Sequence, residues 1–130
     1  MSETREARLA TVAVRLLVDT TVPYSVADLT RCLSLEQHEI QALVSEKLAD
    51  GWLRVARPLA DDQHGQRQGL MTYRLTPDGE SKARKLVSRL WGHSAPFESF
   101  LESSGLSIYA ALVVRAARGD AEAMGGEVDG

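Results

Sequence analysis

Apolar residues recur at helical spacing along most of this chain and alternate with polar ones in two short runs. Leu9, Val12, Leu16 and Leu17, with Ala13 on the same face, predict a first helix over roughly 4–18. "DTTVPYS" (19–25) interrupts it, because β-branched residues and Pro23 favour an extended path. Ser25 is placed to cap a short second helix, "VADLTRCL", with Val26, Leu29 and Leu33 inward. Ser34 followed by Gln37 has the capping-box pattern, so a third helix is expected from there to about Asp50 on the stripe Ile40, Leu43, Val44 and Leu48. Gly51 then supplies a left-handed C-cap.

The pattern switches to alternation in "WLRVAR" (52–57) and "LMTYRL" (70–75), two strands joined through the polar, glycine-bearing loop "PLADDQHGQRQG". In "TPDGESKARKLVSRLW" Thr76 caps, Pro77 suits the first helical position, and Ala83, Leu86, Val87, Leu90 and Trp91 form the stripe of a fourth helix. "GHSAP" breaks the chain. "PFESFLESSG" then reads as a short helix closed by Gly105, and "SIYAALVVRAARG" as another closed by Gly119. The expected fold class is mainly α with a small β-hairpin (α+β). Residues 1–91 form the main domain, 92–119 a C-terminal helical extension, and 120–130, acidic and glycine-rich, a disordered tail.

Composition narrows the class without choosing a function. At 130 residues, 44% apolar and 25% charged, the chain is long enough to bury a core without disulfides or metal. Cys32 is the only cysteine, which rules out an intramolecular disulfide. The N-terminus mixes acids with bases and leads into no signal-type apolar region, and "LATVAVRLLV" (9–18) falls short of the roughly 18 apolar residues a membrane span needs. A cytoplasmic protein without membrane association is expected.

The order helix–helix–helix–strand–loop–strand–helix, with "SLEQHEIQALVSEKLADGWL" (34–53) and "YRLTPDGESKARKL" (73–86), resembles the winged helix-turn-helix of the MarR and PadR groups of bacterial transcriptional regulators. The likeness covers about residues 9–91 and rests on the helix before "DGWL", the polar loop, and a segment close to Y-x-L-T-x-x-G. It implies a winged helix-turn-helix with flanking N- and C-terminal helices, the third helix in a DNA major groove, and a wing at about 58–69 on the minor groove or backbone. It also implies a homodimer formed through helices flanking the winged helix. Residues 92–130 carry no part of the resemblance.

Net charge is −3, so the distribution of charge matters more than its sum. Residues 21–50 hold Arg31 and Lys47 against Asp28, Glu36, Glu39, Glu46 and Asp50. Residues 53–90 hold Arg54, Arg57, Arg67, Arg74, Lys82, Arg84, Lys85 and Arg89 against four acids, a local basic footprint of the kind phosphates require. Burial of the third helix's apolar stripe turns Gln37, His38, Gln41 and Ser45 outward. Glutamine in particular suits adenine N6/N7. These are the expected base-reading positions, and Ser34 is counted with them among the DNA-binding residues. Arg54, Arg57 and Arg74 are phosphate candidates. His64, Gln66, Arg67 and Gln68 are the wing candidates, and the resemblance assigns Arg67 to the minor groove. Glu39 is the residue that conflicts with this assignment: it either accepts from cytosine N4 or repels phosphate.

Other chemistry finds little support. His38, His64, His93 and Cys32 match no compact metal-ligand spacing, no cofactor is expected, the residues do not identify a small-molecule effector, and no nucleotide-binding or nucleophile motif occurs. An enzyme is not expected. The alternative to a DNA-binding regulator is a winged-helix interaction module in a larger protein assembly. The apolar residues Phe97, Phe100, Leu101, Leu106, Ile108, Leu112 and Val113 suit either a dimer interface or packing over the chain's own first helix.

Overall fold

The apolar positions between Ala7 and Leu16 form no single stripe: Ala7, Leu16 and all five of the consecutive residues Ala10–Val14 are buried. A helix buried all round must lie at the centre of the molecule. In the computed structural model this is α1 (Ser2–Val18), followed by α2 (Val26–Cys32), α3 (Gln37–Ala49), β1 (Leu53–Ala56), β2 (Thr72–Leu75), α4 (Pro77–Leu90), α5 (Ala95–Ser103) and α6 (Ser107–Asp129). The structure describes residues 2–56 and 71–129, with side chains for 4–56 and 71–119. Helix α1 packs against α4, α5 and α6 and touches β2. Alanines 7, 10 and 13 let these neighbours approach closely. Thr11, fully buried, satisfies its hydroxyl by donating to the Ala7 carbonyl at 2.7 Å.

The described residues are mainly helical with a small antiparallel hairpin, in line with the α+β expectation. Leu53 faces Leu75, Arg54 faces Arg74, Val55 faces Tyr73 and Ala56 faces Thr72. Only the second half of "DTTVPYS" takes the expected extended path: residues 19–22 turn, with the Val22 N–H donating to the Asp19 carbonyl at 3.4 Å, and the chain then straightens so that Tyr24 reaches the free edge of β2. The Tyr24 N–H donates to the Tyr73 carbonyl at 3.0 Å, and the Tyr73 N–H donates to the Tyr24 carbonyl at 2.8 Å.

Ser25 caps α2 as its position predicts, in a reciprocal pair with Asp28 at 3.0 Å each way. The cap of α3 differs from expectation. Leu33 and Leu35 are both buried, the chain bends through residues 33–35 to turn both inward, and the helix begins only after Glu36. Glu36 becomes the N-cap residue, its N–H reaching Glu39 Oε1 at 3.4 Å, and Ser34 is left facing outward. At the far end Gly51 (φ +83°) closes α3 in a Schellman motif: the Trp52 N–H donates to Lys47 at 3.0 Å and the Gly51 N–H to Leu48 at 3.3 Å. Gly105 (φ +69°) closes α5 in the same way.

The C-terminal residues 92–119 do not form a separate layer. Phe97, Leu101, Leu106, Ala110 and Val114 join one continuous core with α1 and α4. Phe97 is wholly buried, which contributes about 1.5–3 kcal/mol. The final helix does not stop at Gly119 but runs to Asp129. Each interior glycine costs only about 1 kcal/mol relative to alanine, and although Gly125 and Gly126 add to the cost of Gly119, the intervening Ala121, Glu122, Ala123 and Met124 all favour helix. Side chains of the expected tail, 120–130, lie outside the described residues.

The junction between α3 and α4 explains the "DGW" and "LTPDG" stretches together. Thr76 caps α4 by accepting from the Gly79 N–H at 2.9 Å, while its hydroxyl donates to the Gly51 carbonyl at 2.7 Å and its N–H to the Trp52 carbonyl at 2.9 Å. Gly79 lies so close that a Cβ there would fall 2.0 Å from the Trp52 carbonyl oxygen. Gly79→Ala is therefore expected to remove about 3 kcal/mol of stability and lower the unfolding midpoint by about 10 °C in a thermal melt. An unchanged midpoint would contradict this packing.

Candidate nucleic-acid interface

Helix α3 buries Ile40, Leu43 and Val44, and this single choice of face sets every other side chain on it. Gln37, His38, Gln41 and Ser45, at spacings of three, four and eight, are all exposed and share one side of the helix. The structure brings these four expected residues together. Ser34 precedes the helix and is engaged elsewhere: its N–H donates to Ser104 Oγ at 3.0 Å, and the two hydroxyls lie 3.1 Å apart. The turn leading into α3 is thus tied to the end of α5.

The acids of α3 lie beside this face, and three of the four meet cations. Glu39 Oε2 is 2.7 Å from the Arg8 guanidinium. Glu46 pairs with Arg5 and, at 3.3 Å, with Lys47. Asp50 accepts from Lys47 at 3.0 Å. Lys47 is only 12% exposed and also stands 4.6 Å above the Trp52 ring, an arrangement that desolvates the ammonium while surrounding it with negative charge. Only Glu36 keeps an exposed carboxylate at the start of the helix, 3.3 Å from His38 Nδ1. Arg5 and Arg8 were not singled out from the sequence, because charge counted segment by segment left the first twenty residues neutral. The available signal was their spacing, one helical turn apart on an element expected to pack in the same domain.

On the hairpin, Arg54 and Arg74 occupy facing positions, on the side opposite Leu53, Val55, Tyr73 and Leu75. Like charges directly across a strand pair repel, and an anion bridging them removes that cost. Arg74 is half-buried and anchored, its Nε donating to the Thr20 carbonyl at 3.3 Å. In the same loop the Thr21 hydroxyl donates to Asp19 at 2.6 Å and the Thr21 N–H at 3.0 Å. These two bonds hold the Asp19 carboxyl below its ordinary range, with a smaller contribution from Arg74. Arg57, His64, Gln66, Arg67 and Gln68, with the whole loop 58–69, lie outside the described residues.

The basic count of α4 changes once partners are assigned. Lys82 pairs with Asp78 at 3.0 Å, Arg84 with Glu80 at 3.3 Å, and Arg89 with Glu6 at 2.7 Å. The cations of this helix largely answer neighbouring acids, as i,i+4 spacing favours, so its part of the basic footprint is weaker than the residue count suggests. Among the described residues no cluster of three metal-binding side chains occurs, and no helix is long and apolar enough to cross a membrane. Cys32 is partly buried against the core. Comparison of the chain with protein-family profiles, with curated proteins and with solved structures gives no match.

Proposed function

We propose that this chain is a winged helix-turn-helix protein that binds duplex DNA as a transcriptional regulator, with α3 in the major groove and the 58–69 loop as the wing. The observation that carries the reading is the division of α3. Its hydrogen-bonding side chains Gln37, His38, Gln41 and Ser45 are exposed together, while Glu39, Glu46 and Asp50 are matched by Arg8, Arg5 and Lys47. Neutral donors and acceptors on an exposed helix face suit base edges. The opposed Arg54 and Arg74 suit phosphate. The Tyr24 bridge to β2 anchors the segment between α1 and α2 to the hairpin that would carry the wing.

A two-fold dimer belongs to the same proposal, because paired half-sites require paired recognition helices. Intrachain packing covers one side of α6 and leaves Ile108, Tyr109 and Leu112 exposed at 75%, 44% and 52%. Arg115 and Arg118 are exposed on α6, and Glu98 and Glu102 on α5. A second copy brings the apolar patch against itself and supplies the opposite charges. The competing reading, a protein-interaction module that does not touch DNA, is favoured by the pairing of α4's cations and by the exposed Glu36.

Salt dependence separates the two readings. With Arg54 and Arg74 from each of two protomers making about four phosphate contacts, affinity for duplex should fall about 100-fold between roughly 50 and 200 mM salt. Weak, salt-insensitive binding with no sequence enriched from random duplexes would support the interaction module instead. Gln41→Ala should cost about 1–3 kcal/mol on the enriched sequence and leave non-specific affinity nearly unchanged. Equal losses on all sequences would show that Gln41 reads no base. Leu112→Glu should convert a sedimenting dimer into a folded monomer. A monomeric wild type, or an unaltered dimer in the variant, would remove α6 from the interface.

A further inference from the structure

Two arginines in the first turns of α1 meet acids of α3. Arg5 pairs with Glu46 and Arg8 with Glu39, so the earlier arginine meets the later acid and α1 runs antiparallel to α3 here. Glu39 and Glu46 are seven residues apart, about 10 Å along the helix, whereas Arg5 and Arg8 span only about 4.5 Å. The two guanidiniums therefore splay from one short stretch to catch both carboxylates. The Arg8–Glu39 pair is partly withdrawn from water, with side chains 33% and 20% exposed, and the Arg8 Nε is buried without a protein partner. This pair is less open to water than an ordinary surface ion pair.

Position explains what the pairs accomplish. Glu39 and Glu46 lie at the border of the exposed face formed by His38, Gln41 and Ser45. Released, their carboxylates would face the same solvent that this face presents to a ligand. Held by the arginines, they contribute neither net charge nor a free acceptor. Glu39 is then withheld from any cytosine amino group, and base reading falls to Gln37, His38 and Gln41.

We infer that Arg5 and Arg8 are positioning residues, which hold Glu39 and Glu46 against α1 and cancel their charge so that the exposed face of α3 is compatible with a polyanion. This role rests on the DNA-binding reading above.

The test is a set of duplex affinities at fixed low salt. The double variant Arg5→Gln/Arg8→Gln should bind about tenfold more weakly than wild type, because Glu39 then lacks its arginine, Glu46 must share Lys47 with Asp50, and two negative charges are left unbalanced beside the DNA face. Adding Glu39→Gln and Glu46→Gln to the same chain should restore affinity to within about twofold, since the charge is again balanced. The lysine variant Arg8→Lys, which keeps the charge, should bind nearly as wild type. The quadruple variant lacks the ion pairs and the guanidiniums alike. If the pairs merely braced the fold, or if the arginines touched phosphate directly, it would stay as weak as the double, and either outcome overturns the inference. Wild-type binding with an unaffected double variant overturns it as well. A wild type that binds no duplex at low salt overturns the DNA-binding reading itself, a result distinguishable from the other two. Thermal melts of each variant identify any that fail to fold.

Discussion

The burial on every side of the middle of α1, Ala10–Val14, is the constraint on which the rest of the structure depends. Ala7, Ala10, Ala13 and Val14 are almost wholly enclosed, and α4, α5 and α6 each find part of their core against this one helix. A central helix of small residues draws its neighbours close and fixes their mutual placement, because close-packed interiors do not deform continuously. The same helix then supplies, from its exposed first turns, the arginines that meet the acids of α3. Its apolar half organises the core, and its charged half conditions the surface proposed to bind DNA.

Two joints carry this central order outward. The Thr76 hydroxyl on the Gly51 carbonyl and the close Gly79–Trp52 backbone approach lock the end of α3 to the beginning of α4, which fixes α3 relative to the bundle. The Ser34–Ser104 contact ties the opposite end of α3 to the junction of α5 and α6. A helix held at both ends presents its side chains in a fixed direction, and a base-reading surface needs that rigidity. The proposed dimer would extend the order by one more step, since α6, which carries the exposed Ile108 and Leu112, packs directly on α1 and α4.

Much of this was legible in the residues. The stripe Ile40, Leu43 and Val44, the caps Ser25 and Thr76, and the terminating Gly51 and Gly105 are local signals, and local chemistry determines them. The start of α3 was misplaced because a local capping pattern at Ser34 lost to a tertiary demand, the burial of both Leu33 and Leu35. The end of α6 lies beyond Gly119 because a glycine weakens a helix without stopping it, and the helix-formers after it carry the helix on. The electrostatics of the candidate site were the least legible part. Segment charge suggested an acidic α3 and a basic α4, yet pairing across elements neutralises most of the first, and short-range pairs with one contact to α1 neutralise most of the second. Such pairings depend on which helix faces lie side by side, a property of packing rather than of composition.

The central claim is that the exposed face of α3 meets duplex DNA, and mapping the contact on the isotope-labelled chain tests it most directly. When a selected duplex is titrated into the protein at low salt, the amide resonances of Gln37, His38, Gln41 and Ser45, together with those of Arg54 and Arg74, should shift most. Those at the buried centre of α1 should stay in place. Shifts confined to α5 and α6, or no shift at any ratio of duplex to protein, would contradict the account.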